Sequence, residues 1–321
     1  MKALSMDAKR QKLPGARVWV VATPIGNLSD LSARAREVLA SVDWVACEDT
    51  RRTAKLFQAL GIPCPELRRY DEHSSLKQVQ RWIAELQETQ QSIALVTDAG
   101  TPGVSDPGAL LVREAAKGSI AVHPVPGASS WMSVVSISGW PEVTRWVCQS
   151  FFPRKDLERQ QAFREAWVSA QAVAGASSAS LWLESPERIL DTLECLHALL
   201  EQSPRFEALR GEGSQWLVCK ELTKIYERVF RGDLTQVLEQ VRQHLASEGN
   251  RGEWCFAVRF PALDAARAEP SEDLQAVEKA LECLLDAGVK ISEISKILSH
   301  RFGIDREKIY SRALHLKKSR D

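Results

Sequence analysis

The chain has 321 residues, with 42 basic and 42 acidic side chains and so no formal net charge; 44% of it is hydrophobic and 26% charged. That is the composition of a folded protein long enough for two domains, and it excludes both a dominantly disordered chain and one that coats nucleic acid through bulk positive charge. No apolar run approaches the roughly 18 residues needed to span a bilayer, and the basic N-terminus lacks the apolar core of a secretory signal, so a cytoplasmic protein without membrane association is expected.

Residues 1–17 read as a flexible extension. Strand and helix patterns then alternate. Val18-Trp19-Val20-Val21 is a buried strand, and Leu31, Ala35, Val38 and Leu39 mark one face of a helix. Val42–Ala46 predicts a second strand, followed by a helix from about Arg51 to Leu60. Tyr70-Asp71-Glu72-His73 follows another short strand, and Ser74 to Gln90 is helical. Ile93–Val96 and Ile120–Val122 are further strands, with a helix after Pro126-Gly127. Such alternation implies a mostly parallel sheet covered on both faces.

The pattern breaks near Arg145–Lys155, which places a first domain at 18–148 and a second at 149–262. The second domain carries a helix from Asp156 to Ala172, strand-like Leu181–Leu183, a helix from about Pro186 to Leu200, and strand-like Trp216–Cys219 and Trp254–Val258. Pro261–Pro270 reads as a linker. Residues 271–321 then space their apolar positions as two or three short helices punctuated by Gly288 and Gly303, with the cadence of a helix-turn-helix. From Lys290 to Asp321 this tail has 9 Lys/Arg against 4 Asp/Glu, so it is locally basic.

In a parallel α/β sheet, ligands bind at the carboxyl ends of the strands, where helix N-termini offer free N–H groups. Three loops rich in Gly and Pro fall there: Ala22–Asn27, Thr97–Gly108 and Pro126–Ser130. Singly, each is a tight strand-to-helix turn with Asp or Ser as a cap; together they outline a ligand cleft. Asp98 and Asp106 offer hydrogen-bond acceptors to a ribose or an amine. Charged clusters at Glu48-Asp49, Asp71–His73, Glu184–Arg188 and Lys220–Lys224 also follow strands, either as caps and ion pairs or as the polar rim of that cleft. The GxGxxG and GxxxxGK[ST] fingerprints are absent, which counts against NAD and ATP chemistry. Seven cysteines without CxxC spacing indicate reduced thiols, and no run has metal-ligand spacing, so no metal is expected.

The runs VATPIGNLSDLSARAREVL, VACEDTRRT, LVTDAGTPGVSDPG, PVPGASS, FFPRK, ESPERIL and KELTKIYERVFRGDL occur in this order between about Val18 and Phe260. In that order they resemble the tetrapyrrole methylase superfamily, and within it the small-subunit ribosomal RNA methyltransferase I branch. The resemblance implies two α/β domains of tetrapyrrole methylase type with a small helical tail, S-adenosylmethionine held between the domains, and usually a homodimer. It implies methylation of the ribose 2′-OH of a cytidine in the decoding region of 16S rRNA, with the 30S subunit as the expected partner. By position, the cofactor is cradled by Pro24, Ile25 and Gly26, by Asp98, Ala99, Gly100, Thr101, Pro102 and Ser105, and by Gly127, Ala128 and Ser129. The second domain contributes Leu183, Glu184 and Leu222.

The chain departs from the family pattern at Gln149-Ser150-Phe151-Phe152-Pro153, at Leu183-Glu184-Ser185-Pro186-Glu187-Arg188 and at Asp71-Glu72-His73-Ser74. These changes fall where substrate enters, so a methylase of a small tetrapyrrole-like molecule and a non-catalytic RNA-binding paralogue stay open. Moving a methyl group to an alcohol requires alignment and a proton acceptor; Glu48, His73 and Glu221 are the candidates. Arg51, Arg52, Arg154, Lys155, Arg188, Lys224 and the basic tail are the candidates for RNA contact.

Overall fold

The computed structural model describes residues 15–104, 106–171, 176–210, 215–262, 272–286, 289–302 and 305–318. Of the sequence features named above, most of the N-terminal extension, Ser105, Gly288, Gly303 and the linker from residue 263 lie outside the described residues.

The first sheet contains β1 (Arg17–Val21), β2 (Trp44–Cys47), β3 (Glu66–Arg69), β4 (Ser92–Val96) and β5 (Ala121–Val125). Its order is β3-β2-β4-β1-β5, and every pairing is parallel. Strand alternation feeds two cores. Ile93 and Leu95 join Val79, Ile83 and Leu111 on one face, while Ala94 and Val96 join Val38, Leu39 and Phe57 on the other. The helices on these faces are α1 (Ala33–Leu39), α2 (Thr50–Leu60), α3 (Leu76–Thr89) and α4 (Ala109–Lys117), while α5 (Ser130–Ile137) turns its buried residues toward the second sheet. Ser32, Asp49, Ser75 and Ser129 cap four of them through side-chain acceptors, which fixes where each loop hands over to its helix.

The second sheet, β6 (Val143–Phe151), β7 (Ser177–Glu184), β8 (Gln215–Lys220), β9 (Arg228–Gly232) and β10 (Trp254–Phe260), has the order β6-β7-β10-β8-β9. Only β6 and β7 pair in parallel; the other pairings are antiparallel. The segment read as a break in the pattern is thus largely a strand, already in the second sheet from Val143. It escapes the pattern because it is an edge strand with two register irregularities and mostly half-exposed side chains.

Alternation gives this sheet two unlike faces. Trp182, Trp216, Val218, Phe256 and Val258 point to a large core with α6 (Asp156–Gln171), α7 (Ile189–Gln202) and α8 (Leu234–Glu248). The opposite face, with Ala179, Leu181, Leu217, Cys219, Cys255 and Ala257, packs on Ile25, Trp131 and Val134 of the first domain. Sheet two therefore meets domain one through a mixed face, in which alanine and cysteine alternate with Leu181 and Leu217.

The tail forms three helices, α9 (Glu272–Asp286), α10 (Ile291–Phe302) and α11 (Arg306–Lys318), around its own core of Val277, Leu281, Ile294, Leu298, Ile309 and Ala313. No helix among the described residues is long and apolar enough to cross a membrane. Phe256 is fully buried, with its ring stacked on Trp182 at 5.2 Å. Phe256→Ala is expected to lower the free energy of unfolding by about 3–5 kcal/mol, measured by urea denaturation.

Candidate functional site

The three Gly- and Pro-rich loops stand side by side because β4 and β5 both pair with β1. They are also laced together. Thr23 and Gly100 exchange both backbone hydrogen bonds, at 2.9 and 3.1 Å, and Thr23 Oγ1 donates to the Thr97 carbonyl at 3.1 Å. Thr101 Oγ1 donates to the Ala128 carbonyl at 3.1 Å. Added Cβ atoms show how closely the backbones approach: one on Gly127 would lie 3.0 Å from Ala22 Cβ, and one on Gly108 would lie 2.8 Å from Gly103 N.

Against this wall lies the domain-facing side of the second sheet, and the gap between them is a cavity of about 440 Å³. That volume falls in the range of roughly 300–1,000 Å³ usual for small-molecule sites. Ile25, Ala99, Gly100, Thr101, Val104 and Ser129 form its first-domain side, joined by the first turn of α5 at Ser130 and Trp131. Leu183, Glu184, Cys219, Leu222, Trp254 and Cys255 form the second-domain side, with Phe151 at the edge.

Eight of the fifteen residues expected around a cofactor line this cavity: Ile25, Ala99, Gly100, Thr101, Ser129, Leu183, Glu184 and Leu222. Pro24, Gly26 and Asp98 instead line a neighbouring hollow of about 320 Å³, bounded by Arg52, Lys55 and Leu56 of α2. Pro102, Gly127 and Ala128 belong to the same loops without forming part of either wall. Cys219 and Cys255 count in the sequence only among the reduced thiols, and nothing there places them in the cavity wall. Only the pairing of β8 with β10, which sets them opposite each other, brings them there.

The carboxylates have distinct environments. Glu48 Oε2 accepts from the Asp98 N–H at 3.4 Å, beside the Arg52–Asp98 ion pair at 3.0 Å. Asp98 Oδ1 is buried without a hydrogen-bond partner among the described residues. Asp106 lies in the cavity wall, where burial, then the neighbouring Glu48, then Asp98 push its carboxyl up to about 6. Glu184 is buried, accepting from Ser185 N and Thr192 Oγ1, both at 2.7 Å, and pairing with Arg188. Glu221 is bound up in structure, since its Oε1 receives Lys224 Nζ at 2.7 Å and Glu253 N at 2.9 Å. His73 stands exposed beside Glu72 at the sheet edge, and the cavity walls include none of Glu48, His73 or Glu221.

Among the cations, Arg51, Arg52 and Lys155 are exposed on surface pairs with Asp49, Asp98 and Glu158, and Arg154 is exposed. Arg188 and Lys224 are instead largely covered. Lys224 joins the domains. Its ammonium is held by Glu221 and Glu253, and its alkyl stem lies so close to Gly26 that a Cβ there would be 2.3 Å from Lys224 Cγ.

The chain matches the Tetrapyrrole (Corrin/Porphyrin) Methylases over residues 17–238. It belongs to the tetrapyrrole methylase family. It is 33% identical over 300 residues to a protein of Synechocystis sp. named ribosomal RNA small subunit methyltransferase I, covering 94% of this chain and 98% of the relative. It is 32% identical over 298 residues to the Escherichia coli protein of the same name, covering 93% and 94%. A crystal structure of diphthine synthase shares the fold, with a TM-score of 0.51 and 16% identity over 76% of this chain and 89% of that one. As the family resemblance implied, the fold is of tetrapyrrole methylase type and the chain is a methyltransferase.

The Asp106 environment sets a pH signature. Its folded value lies above the ordinary 3.8, so the folded state holds the proton more tightly than the unfolded chain. The contribution of Asp106 to stability is greatest below about pH 4, declines as pH rises to about 6, and is flat above. Urea midpoints of Asp106→Asn measured against the parent from pH 4 to 7.5 are therefore expected to diverge in the variant's favour across that window. A constant difference would contradict the assignment.

Proposed function

We propose that this chain is an S-adenosylmethionine-dependent methyltransferase that modifies the ribose 2′-OH of a cytidine in the decoding region of 16S rRNA. In this reading it acts on the 30S subunit and as a homodimer. The observation that carries the reading is the cavity itself: family loops supply one wall, Leu183, Cys219, Leu222 and Cys255 of the second domain supply the other, and carboxylates line it. The names of the relatives supply the RNA class.

The residues present suit this cofactor. Its sulfonium and ammonium are cationic, matching Asp106 in the wall and the unpartnered buried Asp98 Oδ1 nearby. Its carboxylate suits the N-terminal turn of α5, where Ser129, Ser130 and Trp131 reach the cavity. Its adenine and methionine chain suit an apolar lining of Ile25, Val104, Leu183 and Leu222. When bound, the cofactor supplies an electrophilic methyl group on sulfur. The chain's own part is then to align that methyl with the acceptor oxygen, exclude water and take the hydroxyl proton.

For the proton we assign the Glu48–Asp106 pair. Glu184 is committed to Ser185, Thr192 and Arg188, and Glu253 to Lys224, which leaves Asp106 as the wall carboxylate with proton affinity near neutrality. Glu48 acts beside it by raising that affinity. Glu221 holds the β8–β9 hairpin, and His73 stays outside the proton's path, exposed beside Glu72.

The test is transfer of labelled methyl from S-adenosylmethionine to purified 30S subunits and to naked 16S rRNA, with the product mapped by nuclease digestion and mass spectrometry. A 2′-O-methylcytidine in the decoding region is the expected product. Methylation of a small heterocycle without ribosomes would replace this reading with a tetrapyrrole-type activity, and cofactor binding without any transfer would replace it with a non-catalytic RNA binder. Asp106→Asn is expected to slow single-turnover transfer by about 10²-fold or more, the range usual for loss of a general base. Gly26→Ala displaces the Lys224 stem, so calorimetry is expected to show weaker cofactor binding with the fold retained by circular dichroism.

A further inference from the structure

The hairpin between β8 and β9 carries a tip that the cavity chemistry does not use. Ile225 is 92% exposed and Tyr226 65%, although the loop beneath them is tightly fixed. Glu221 and Thr223 hold left-handed backbone at φ 52° and 66°, a conformation that residues with side chains keep only when their surroundings enforce it. The enforcement is visible. Lys224 Nζ reaches Glu221 Oε1 at 2.7 Å and Glu253 Oε2 at 3.2 Å, and the Thr223 N–H donates to Glu227 Oε2. A rigid loop that holds an isoleucine and a tyrosine in water is preorganised for contact.

Its position and chemistry select the occupant. Cys219 and Leu222 of the same hairpin are cavity walls, so the tip lies three residues beyond the cavity lining along the chain. Phe151, also in the wall, is 59% exposed. Two guanidinium groups stand nearby: Arg228, which follows the tip and is paired with Glu248 at 3.1 Å, and exposed Arg251, in the loop in which Gly252 packs against Glu221. An aromatic face beside cations is the chemistry of single-stranded RNA binding, in which rings take bases and guanidiniums take phosphates. A second copy of the chain fits less well. Two apolar side chains flanked by charge cover only a small part of the roughly 1,200–2,000 Å² of a stable protein interface.

We propose that Tyr226, supported by Ile225, is a stacking platform for an unpaired base of the RNA substrate, positioning the strand at the mouth of the cavity. The proposal rests on the reading of this chain as an RNA methyltransferase and adds a specificity element to that site.

The experiment measures fluorescence anisotropy of a labelled single-stranded oligoribonucleotide, cofactor affinity by calorimetry and oligomeric state by sedimentation velocity. The variants are Tyr226→Ala, Tyr226→Phe and Ile225→Ala. Tyr226→Ala is expected to weaken RNA binding about tenfold, within the span of roughly 5- to 150-fold that loss of one stacked base implies. Tyr226→Phe should stay within about twofold of the parent, and Ile225→Ala should fall between, all with cofactor affinity and sedimentation unchanged. Unchanged RNA binding by Tyr226→Ala would overturn the proposal. So would an equal loss in Tyr226→Phe, which would assign the hydroxyl rather than the ring. A shift in sedimentation on alanine substitution would give the tip to a second copy instead. If the parent binds RNA yet does not methylate 30S subunits, the functional reading fails while the platform stands; if it binds no RNA, the platform fails.

Discussion

The site depends on the lacing of three loops at one edge of a parallel sheet. Each loop alone is a strand-to-helix turn with no reason to keep a particular shape. The reciprocal Thr23–Gly100 backbone bonds and the Thr101–Ala128 bond turn them into one surface, in which exposed N–H groups and carbonyls keep fixed directions. Buried backbone groups that satisfy one another in this way cost the fold little, whereas leaving one unpaired costs about 1–3 kcal/mol. The surface is therefore rigid before any ligand arrives, as a binding wall must be to avoid an ordering cost on binding. Glycine at Gly108 and Gly127 follows from the same constraint, since the backbones approach too closely for a side chain.

The second domain answers that wall with a sheet whose two faces have different tasks. One face carries Trp182, Trp216 and Phe256 into a dense aromatic core with three helices, which anchors the domain. The other carries Ala179, Leu181, Leu217, Cys219, Cys255 and Ala257 toward the first domain, and Cys219 and Cys255 among them border the gap. Lys224 then ties the layers together, with its stem on Gly26 and its ammonium on Glu221 and Glu253. Holding Glu221 and Thr223 in left-handed backbone costs about 1–2 kcal/mol per residue, so this hairpin keeps its shape against a local preference.

Much of this was legible in the sequence, for identifiable reasons. The parallel sheet announced itself because its inner strands β2 and β4 are buried on both faces and read as continuous apolar runs such as Ile93–Val96. The loops announced themselves through Gly and Pro. β6 did not, because an irregular edge strand has no clean alternation. Asp106 could be named as a hydrogen-bond acceptor, but its raised proton affinity depends on the proximity of Glu48, 58 positions earlier in the chain, and no local pattern encodes that. Glu221 illustrates the converse. A carboxylate at a strand end resembles a catalytic group in sequence, and only the structure reveals that its oxygen is occupied by Lys224 and a backbone N–H.

The two cysteines in the second-domain wall have a consequence for how such a scaffold changes its cargo. The first-domain loops owe their shape to their own backbone hydrogen bonds, so the volume of the chamber is tuned by a few side chains on β7, β8 and β10. Exchanging Cys219 or Cys255 for a larger residue would shrink the chamber without disturbing the loop wall, and exchange for a smaller one would enlarge it. Divergence within such a lineage can therefore proceed on one strand face, while the opposite wall is inherited intact.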